Sequence, residues 1–298
     1  QKIESNQTTL NLNNIELNSN TKLSSTVDEL QIEQLDLVNG TFEAARTKKV
    51  IFNDTIIKTN GVLAGEGTFE FVGLNEVENN LFQNNRSTAN IIINRVTSDF
   101  QVPNNFAVEG NLHLEKGEIS LNENTLELSG NLTSNLGTID AQNAELLFSG
   151  NNVQSISGNA LKNNSVKDIK MDGMGTFNLV DEVNLTGVLT PNSGILNSTS
   201  TLTLKSNENQ TAVVDEVSAN AEIQGNVIVE RYIPAKRAFR FINPSVTSSE
   251  SIHANWQEGA INSSDNPSPG YGTHITGNGY QSATETFNEN NNGFDWNP

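Results

Sequence analysis

A chain of 298 residues is long enough for one large or two medium domains, yet only 35% of it is apolar and its mean hydropathy is -0.43, which suits an elongated fold with much surface. The formal charge of -18 argues against sequence-independent nucleic-acid binding, which needs Lys and Arg clustered on phosphates, and against anionic membrane surfaces. Cysteine is absent, which removes disulfides, thiolate nucleophiles and cysteine-bound metal, and no apolar run approaches the about 18 residues of a membrane-spanning helix.

The chain opens at Gln1 without Met, a basic stretch or an apolar stretch, and reads as a mature or trimmed form. From Leu10 to Val77 it is written in short alternations, such as Leu10, Leu12, Ile15, Leu17 and Leu30, Ile32, Leu35, Leu37, broken by Asn, Ser and Gly. Alternation at period two puts those side chains on one side of short strands. Every twentieth residue from Leu12 is apolar: Leu12, Ile32, Phe52, Val72, Ile92, Leu112 and Leu132. A second column runs Leu17, Leu37, Ile57, Val77, and a third Leu10, Leu30, Val50. A fixed period of this size marks stacked units, each burying its apolar side against its neighbours.

From Gly110 the repeat becomes explicit. Gly110-Asn111-Leu112 with Gly117 and Ile119 is followed by Gly130-Asn131-Leu132 with Gly137 and Ile139, and Gly187, Leu189, Gly194 and Leu196 echo the same spacings. The stretch from about Gly150 to Glu182 breaks phase and reads as insertions or a distorted coil. Roughly one residue in six is Asn, the residue that, with Gly, best tolerates left-handed backbone at tight corners. The spacing predicts an all-β fold, a parallel β-helix of about 20 residues per coil and about ten turns over residues 1–222, with Asn at the corners able to stack in hydrogen-bonded ladders. A leucine-rich repeat is the rival, because Leu12, Ile15, Leu17 and Asn20 fit its frame; Phe52, Thr55 and Ile57 do not.

After about Ile223 the character changes. Both tryptophans, all three tyrosines, two of the three histidines and most of the prolines lie in the remainder, which predicts a second, small β module over residues 223–298 that could cap the stack. Its segments Val229–Ile242 (VERYIPAKRAFRFI), Asn255–Gly259 (NWQEG), Pro269–Gly277 (PGYGTHITG) and Asn292–Asp295 (NGFD) resemble large surface proteins of Bacteroidetes, particularly flavobacteria. The resemblance implies export by a type IX secretion system and an extracellular or cell-surface setting. In that family the module continues past the point matching Pro298 and a sorting domain follows, so the chain reads as part of a longer polypeptide whose last residues form a partial β-sandwich. Asp54-Thr55-Ile56 fits the O-glycosylation pattern of these bacteria, although an ordinary coil corner is the better reading at Thr55.

Four aromatics of the C-terminal module, Trp256, Tyr271, Tyr280 and Trp296, are the candidate ligand-binding residues: their faces can stack on sugars, or can form the core of a small module. Arg231, Lys236, Arg237 and Arg240 form the one basic cluster. Glu16, Asp36 and Glu76, with Ile56 interrupting, share an outward column that could hold calcium or simply be solvated. His113 lies between Leu112 and Leu114 and is expected to be exposed, while His253 and His274 are isolated. No nucleophile elbow, zinc-protease motif, calcium loop or phosphate loop occurs, and no catalytic residue, cofactor or metal is expected. The expected function is that of a non-enzymatic extracellular or cell-surface stalk or adhesin that presents binding modules. Its partners would be a surface glycan or protein and, during export, the type IX machinery. The alternatives are a polysaccharide-binding or polysaccharide-degrading β-helix, and an accessory subunit or cargo of the secretion apparatus.

Overall fold

The computed structural model describes residues 1–73, 77–96, 99–199, 201–233, 247–249, 275–276 and 294–295. The chain divides into two compact units, Gln1–Lys236 and Arg237–Pro298. In the first, alternation does what the sequence predicts: the strand Glu29–Ala44 buries Leu30, Ile32, Leu35, Leu37, Phe42 and Ala44 and turns the residues between them outward. About 60% of the described residues are strand and 3% helix, and parallel sheets wind into a β-solenoid of about 10 turns spaced roughly 20 residues apart. Strands on three sides of each turn leave no place for the helical arm of a leucine-rich repeat.

The three sides can be followed by pairing. Face I stacks residues 9–12, 29–32, 49–52 and Thr68–Phe71 with the strands Asn90–Asn94, Leu112–Lys116, Leu132–Ser134, Gln154–Ser157, Thr176–Leu179, Gly194–Asn197 and Ala221–Gln224. Face II continues through residues 14–17, 34–37 and 55–58. It resumes at Val77–Glu78 and runs by Phe100–Gln101, Glu118–Ser120 and residues 138–140 to Val227–Val229. Face III holds residues 22–25, 41–44 and Val62–Gly65, then Arg86–Ser87, Phe106–Val108, Thr125–Leu128 and their successors. We number the coils by their face I segments, so that coil one begins at Thr9 and coil eight at Gln154.

The apolar columns differ from the simple count of twenty in a physically informative way. Leu12, Ile32 and Phe52 stack as expected, but the next residues in their column are Phe71, Ile93 and Leu114. Leu112 and Leu132 belong to a parallel column two residues away, which continues Leu10, Leu30, Val50, Phe69 and Ile91. Coils of 19 to 22 residues therefore carried the count from one buried column into the other. Val72 falls at the corner after face I, and Ile92 points outward between Glu70 and His113. A bulge at Asn53–Asp54 likewise turns Ile57 out, opposite Asp36, where it is 49% exposed.

Corners are built as the Asn excess implied. Among the described residues eight non-glycine residues have positive φ, and six of them are Asn (84, 85, 122, 159, 163 and 164). The stretch from Gly150 to Glu182 keeps its place in the stack, since Leu132 pairs with Ile156 and Ile156 with Leu179, and it carries the expected insertions as register shifts between residues 139–145 and 161–168. The echo at Gly187 is not an equivalent corner, because Leu189 pairs with Ile169 on face III while Leu196 pairs with Phe177 on face I.

Phenylalanines fill the interior of coils two to five. Phe71 lies 5.5 Å from Phe52, 5.5 Å from Phe100 and 6.4 Å from Phe82 between ring centroids, and Phe42, Phe69 and Phe106 extend the cluster. Mixed edge-on and offset rings at such distances add about 0.5–1.5 kcal/mol per pair beyond burial.

The stack runs on through Ala221–Gln224 and Val227–Val229, so the boundary expected after residue 222 falls inside the last coil, and the division between units lies at Lys236. In the second unit Ile275–Thr276 pairs in parallel with Phe294–Asp295.

Candidate functional site

Side chains that alternate outward on face I form a grid across coils five to eight. One column is Asn90, Asn111, Asn131 and Ser155; the next is Ile92, His113, Thr133 and Ser157. Each asparagine stands at the corner where its strand begins, and its Oδ1 accepts a backbone N–H from the coil above. Asn111 N donates to Asn90 Oδ1 at 2.8 Å, Asn131 N to Asn111 Oδ1 at 2.9 Å, and Ser155 N to Asn131 Oδ1 at 2.9 Å. This is the predicted Asn ladder, with a backbone donor at each step instead of a second amide. Because the partner is an N–H, the oxygen must face it, which fixes the Nδ2 end outward.

His113 is half-buried instead of exposed. Its Nδ1 lies 2.8 Å from Thr133 Oγ1 and its Nε2 3.1 Å from Glu115 Oε2, and Asn135 Nδ2 donates to the same carboxylate oxygen at 2.6 Å. These two hydrogen bonds, His113 first, hold the Glu115 carboxyl below its ordinary range against a small opposing effect of burial. Glu115 and the exposed Lys116, which pairs with Asn94, are the charged residues beside the grid.

Charged side chains elsewhere tie coils together. Lys162 Nζ in coil eight reaches Asp140 in coil seven at 2.9 Å and Glu118 in coil six at 3.0 Å. Arg86 bridges Glu109 and Glu127, both at 2.9 Å, passing over the small side chain of Ala107. Lys49 pairs with the buried Glu70, and Lys22 with Glu43 at 2.7 Å. Burial pushes the Asp140 carboxyl up, but the Lys162 ammonium and the Gln142 N–H groups outweigh it and leave the group below the usual carboxylate range. Lys162 is correspondingly raised by its bonds to Asp140 and Glu118. Glycoside cleavage commonly needs a carboxyl kept protonated beside an ionised one, whereas Asp140 is shifted toward its ionised form.

The linkage follows from those directions. Asp140 adds stability above its unfolded pKa, and that contribution is lost as pH falls through its lowered folded value. Lys162→Met should therefore unfold at lower urea than the parent at pH 7, with the difference shrinking at acid pH as Asp140 protonates. An equal difference at both pH values would mean that the loss comes from packing and not from charge.

The acid column reads partly as expected. Glu16 and Asp36 are adjacent and outward, but each is bonded within its own strand, by Asn18 and Gln34, and Ile57 follows them where Ile56 was expected. Among the described residues no three His, Cys, Asp or Glu side chains are grouped to hold a metal ion. A cleft of about 270 Å³ between coils three and four is lined by Ile56, Lys58, Val77, Glu78, Asn80 and Leu81, a mixed set with a single acid. Thr55 is half-buried at the bulge beside Asp54. Trp256, Tyr271, Tyr280 and Trp296 lie outside the described residues, as do Glu76, Lys236, Arg237, Arg240, His253 and His274; Arg231 is exposed.

The grid was only half legible. Gly-Asn-Leu at 111 and 131 signalled two of its corners, but Asn90 stands 21 residues before Asn111 and Ser155 24 after Asn131, so a strict count misses both. No helix among the described residues is long and apolar enough to cross a membrane. Comparison with models of known protein families, with curated proteins and with solved structures gives no match to this chain.

Proposed function

We propose that the chain is a non-enzymatic scaffold of a bacterial surface, a solenoid stalk that spaces or presents binding modules. The observation that carries this reading is where the charges go: Lys22, Lys49, Arg86, Lys162 and Lys205 each hold an acid from another coil, and so serve the stack and not a converging site. Nearest-neighbour stacking of this kind yields stiffness, and the excess of acid keeps the surface soluble. The resemblance of Val229–Ile242 and the later segments to exported Bacteroidetes proteins supports an extracellular or cell-surface location and passage through type IX machinery.

Surface labelling of intact source cells with an antibody to the solenoid, followed by protease shaving, tests the location. Labelling and protease release are expected. Signal obtained only after lysis would overturn the reading. Incubation with a panel of polysaccharides tests the enzymatic alternative, and release of new reducing ends, lost on removing Asp140 or Glu118, would favour it.

A further inference from the structure

The Asn ladder of face I leaves a set of hydrogen-bond donors unused. Asn90, Asn111 and Asn131 give their oxygens to the next coil, and among the described residues none of their Nδ2 groups has a protein acceptor. Asn111 is exposed and the other two are half-exposed. The side chains cannot rotate away without abandoning the backbone N–H they satisfy, so the three amides form a fixed row along the stacking direction, one per rung of about 4.8 Å. Beside them, Ile92, His113 and Thr133 give a second row that is flat and without formal charge at neutral imidazole. In a chain with a net charge of -18, this surface carries the single carboxylate of Glu115, itself occupied by His113 and Asn135.

We propose that the outward face of coils five to seven binds a neutral, extended polysaccharide lying along the stack. The occupant must offer acceptors in a line at a regular interval, which an extended sugar polymer does with its hydroxyl and ring oxygens. It must lack negative charge, because a chain of net charge -18 repels a polyanion and the grid is flanked by a single cation, Lys116, beside the carboxylate of Glu115. The apolar edge of Ile92 and the imidazole of His113 match the C–H faces of a sugar ring. Donors held in place before binding lose little freedom on contact, so even weak individual bonds add along the row. This assignment rests on the surface reading above for its biological setting but not for its chemistry.

The intact chain would be run through gels containing linear β-1,4-glucan, β-1,3-glucan or galactomannan, with polygalacturonate as the anionic counterpart, and affinities taken by titration calorimetry. Retardation by at least one neutral polymer and none by polygalacturonate is expected. The double variant Asn111→Asp/Asn131→Asp keeps both acceptors of the ladder and removes both donors, and should bind about tenfold more weakly or worse. Absence of neutral-polymer binding, preference for polygalacturonate, or undiminished binding by a folded double variant would each overturn the site. Should the variant fail to fold, hydrogen exchange on the parent chain decides: protection of residues 109–135 by the bound polymer supports the site, and protection confined elsewhere refutes it. A binding chain that cannot be labelled on cells would sink the surface reading alone.

Discussion

Replacing Phe71 with Ala is expected to destabilise the solenoid by about 3–5 kcal/mol, the range for deleting a buried phenyl ring. Phe71 is fully buried and touches rings from the coil below, Phe52, from its own coil, Phe82, and from the coil above, Phe100. Its position is also where the coils have least backbone to share. Among the described residues, face I is the one side on which a full strand ladder crosses from coil three to coil four; face III contributes the single bridge Leu63–Phe82. In a stack where each unit is coupled only to its neighbours, weakening one interface can split a single transition into two. Chemical unfolding followed by circular dichroism and by hydrogen exchange should show an early phase for coils one to three in the variant. One transition displaced by less than about 1 kcal/mol would mean that the aromatic cluster is not the coupling element.

Gly130→Ala should also destabilise, by about 1–3 kcal/mol or more, although the exchange lowers the entropy of the unfolded chain and would by itself stabilise by about 0.4–1 kcal/mol. A Cβ at Gly130 would stand 2.3 Å from the carbonyl oxygen of Gly110 and 2.6 Å from its carbon, far inside contact distance. The corner cannot give way cheaply, since moving it stretches both Asn131 N to Asn111 Oδ1 and Leu112 N to Asn131 O, each 2.9 Å. Asn122→Gly is the companion variant: Asn122 adopts φ 56 with no such crowding required, and its replacement should stay within about 1 kcal/mol. A neutral or stabilising Gly130→Ala, measured by thermal and urea unfolding, would show that adjacent coils can separate at this corner.

Particular residues show how far the sequence could be read. Leu30, Ile32, Leu35 and Leu37 announce strands with one buried side, and their recurrence announces a stack, because alternation and period are properties of the chain alone. The Gly-Asn-Leu triplets announce two corners for the same reason. Val72, Ile92 and Ile57 were misplaced because a coil can gain or lose a residue at a bulge or corner without disturbing the ladder, and two buried columns two residues apart look alike to a fixed count. His113 was placed on the correct side of its strand, but its partners Thr133 and Glu115 could be named only once the register was known.

The sequence by itself thus determined the class of fold, its approximate period, its acidic surface and the use of Asn at corners, since these depend on composition and on residues close together in the chain. Tertiary structure alone decided the register from coil to coil, the Phe cluster that joins coils two to five, the ion pairs that reach across one or two coils, and the row of Asn amides on face I. Each of those depends on which residues lie 19 to 24 positions apart and 4.8 Å apart at once, a distance set by parallel pairing and not by the count of residues between them.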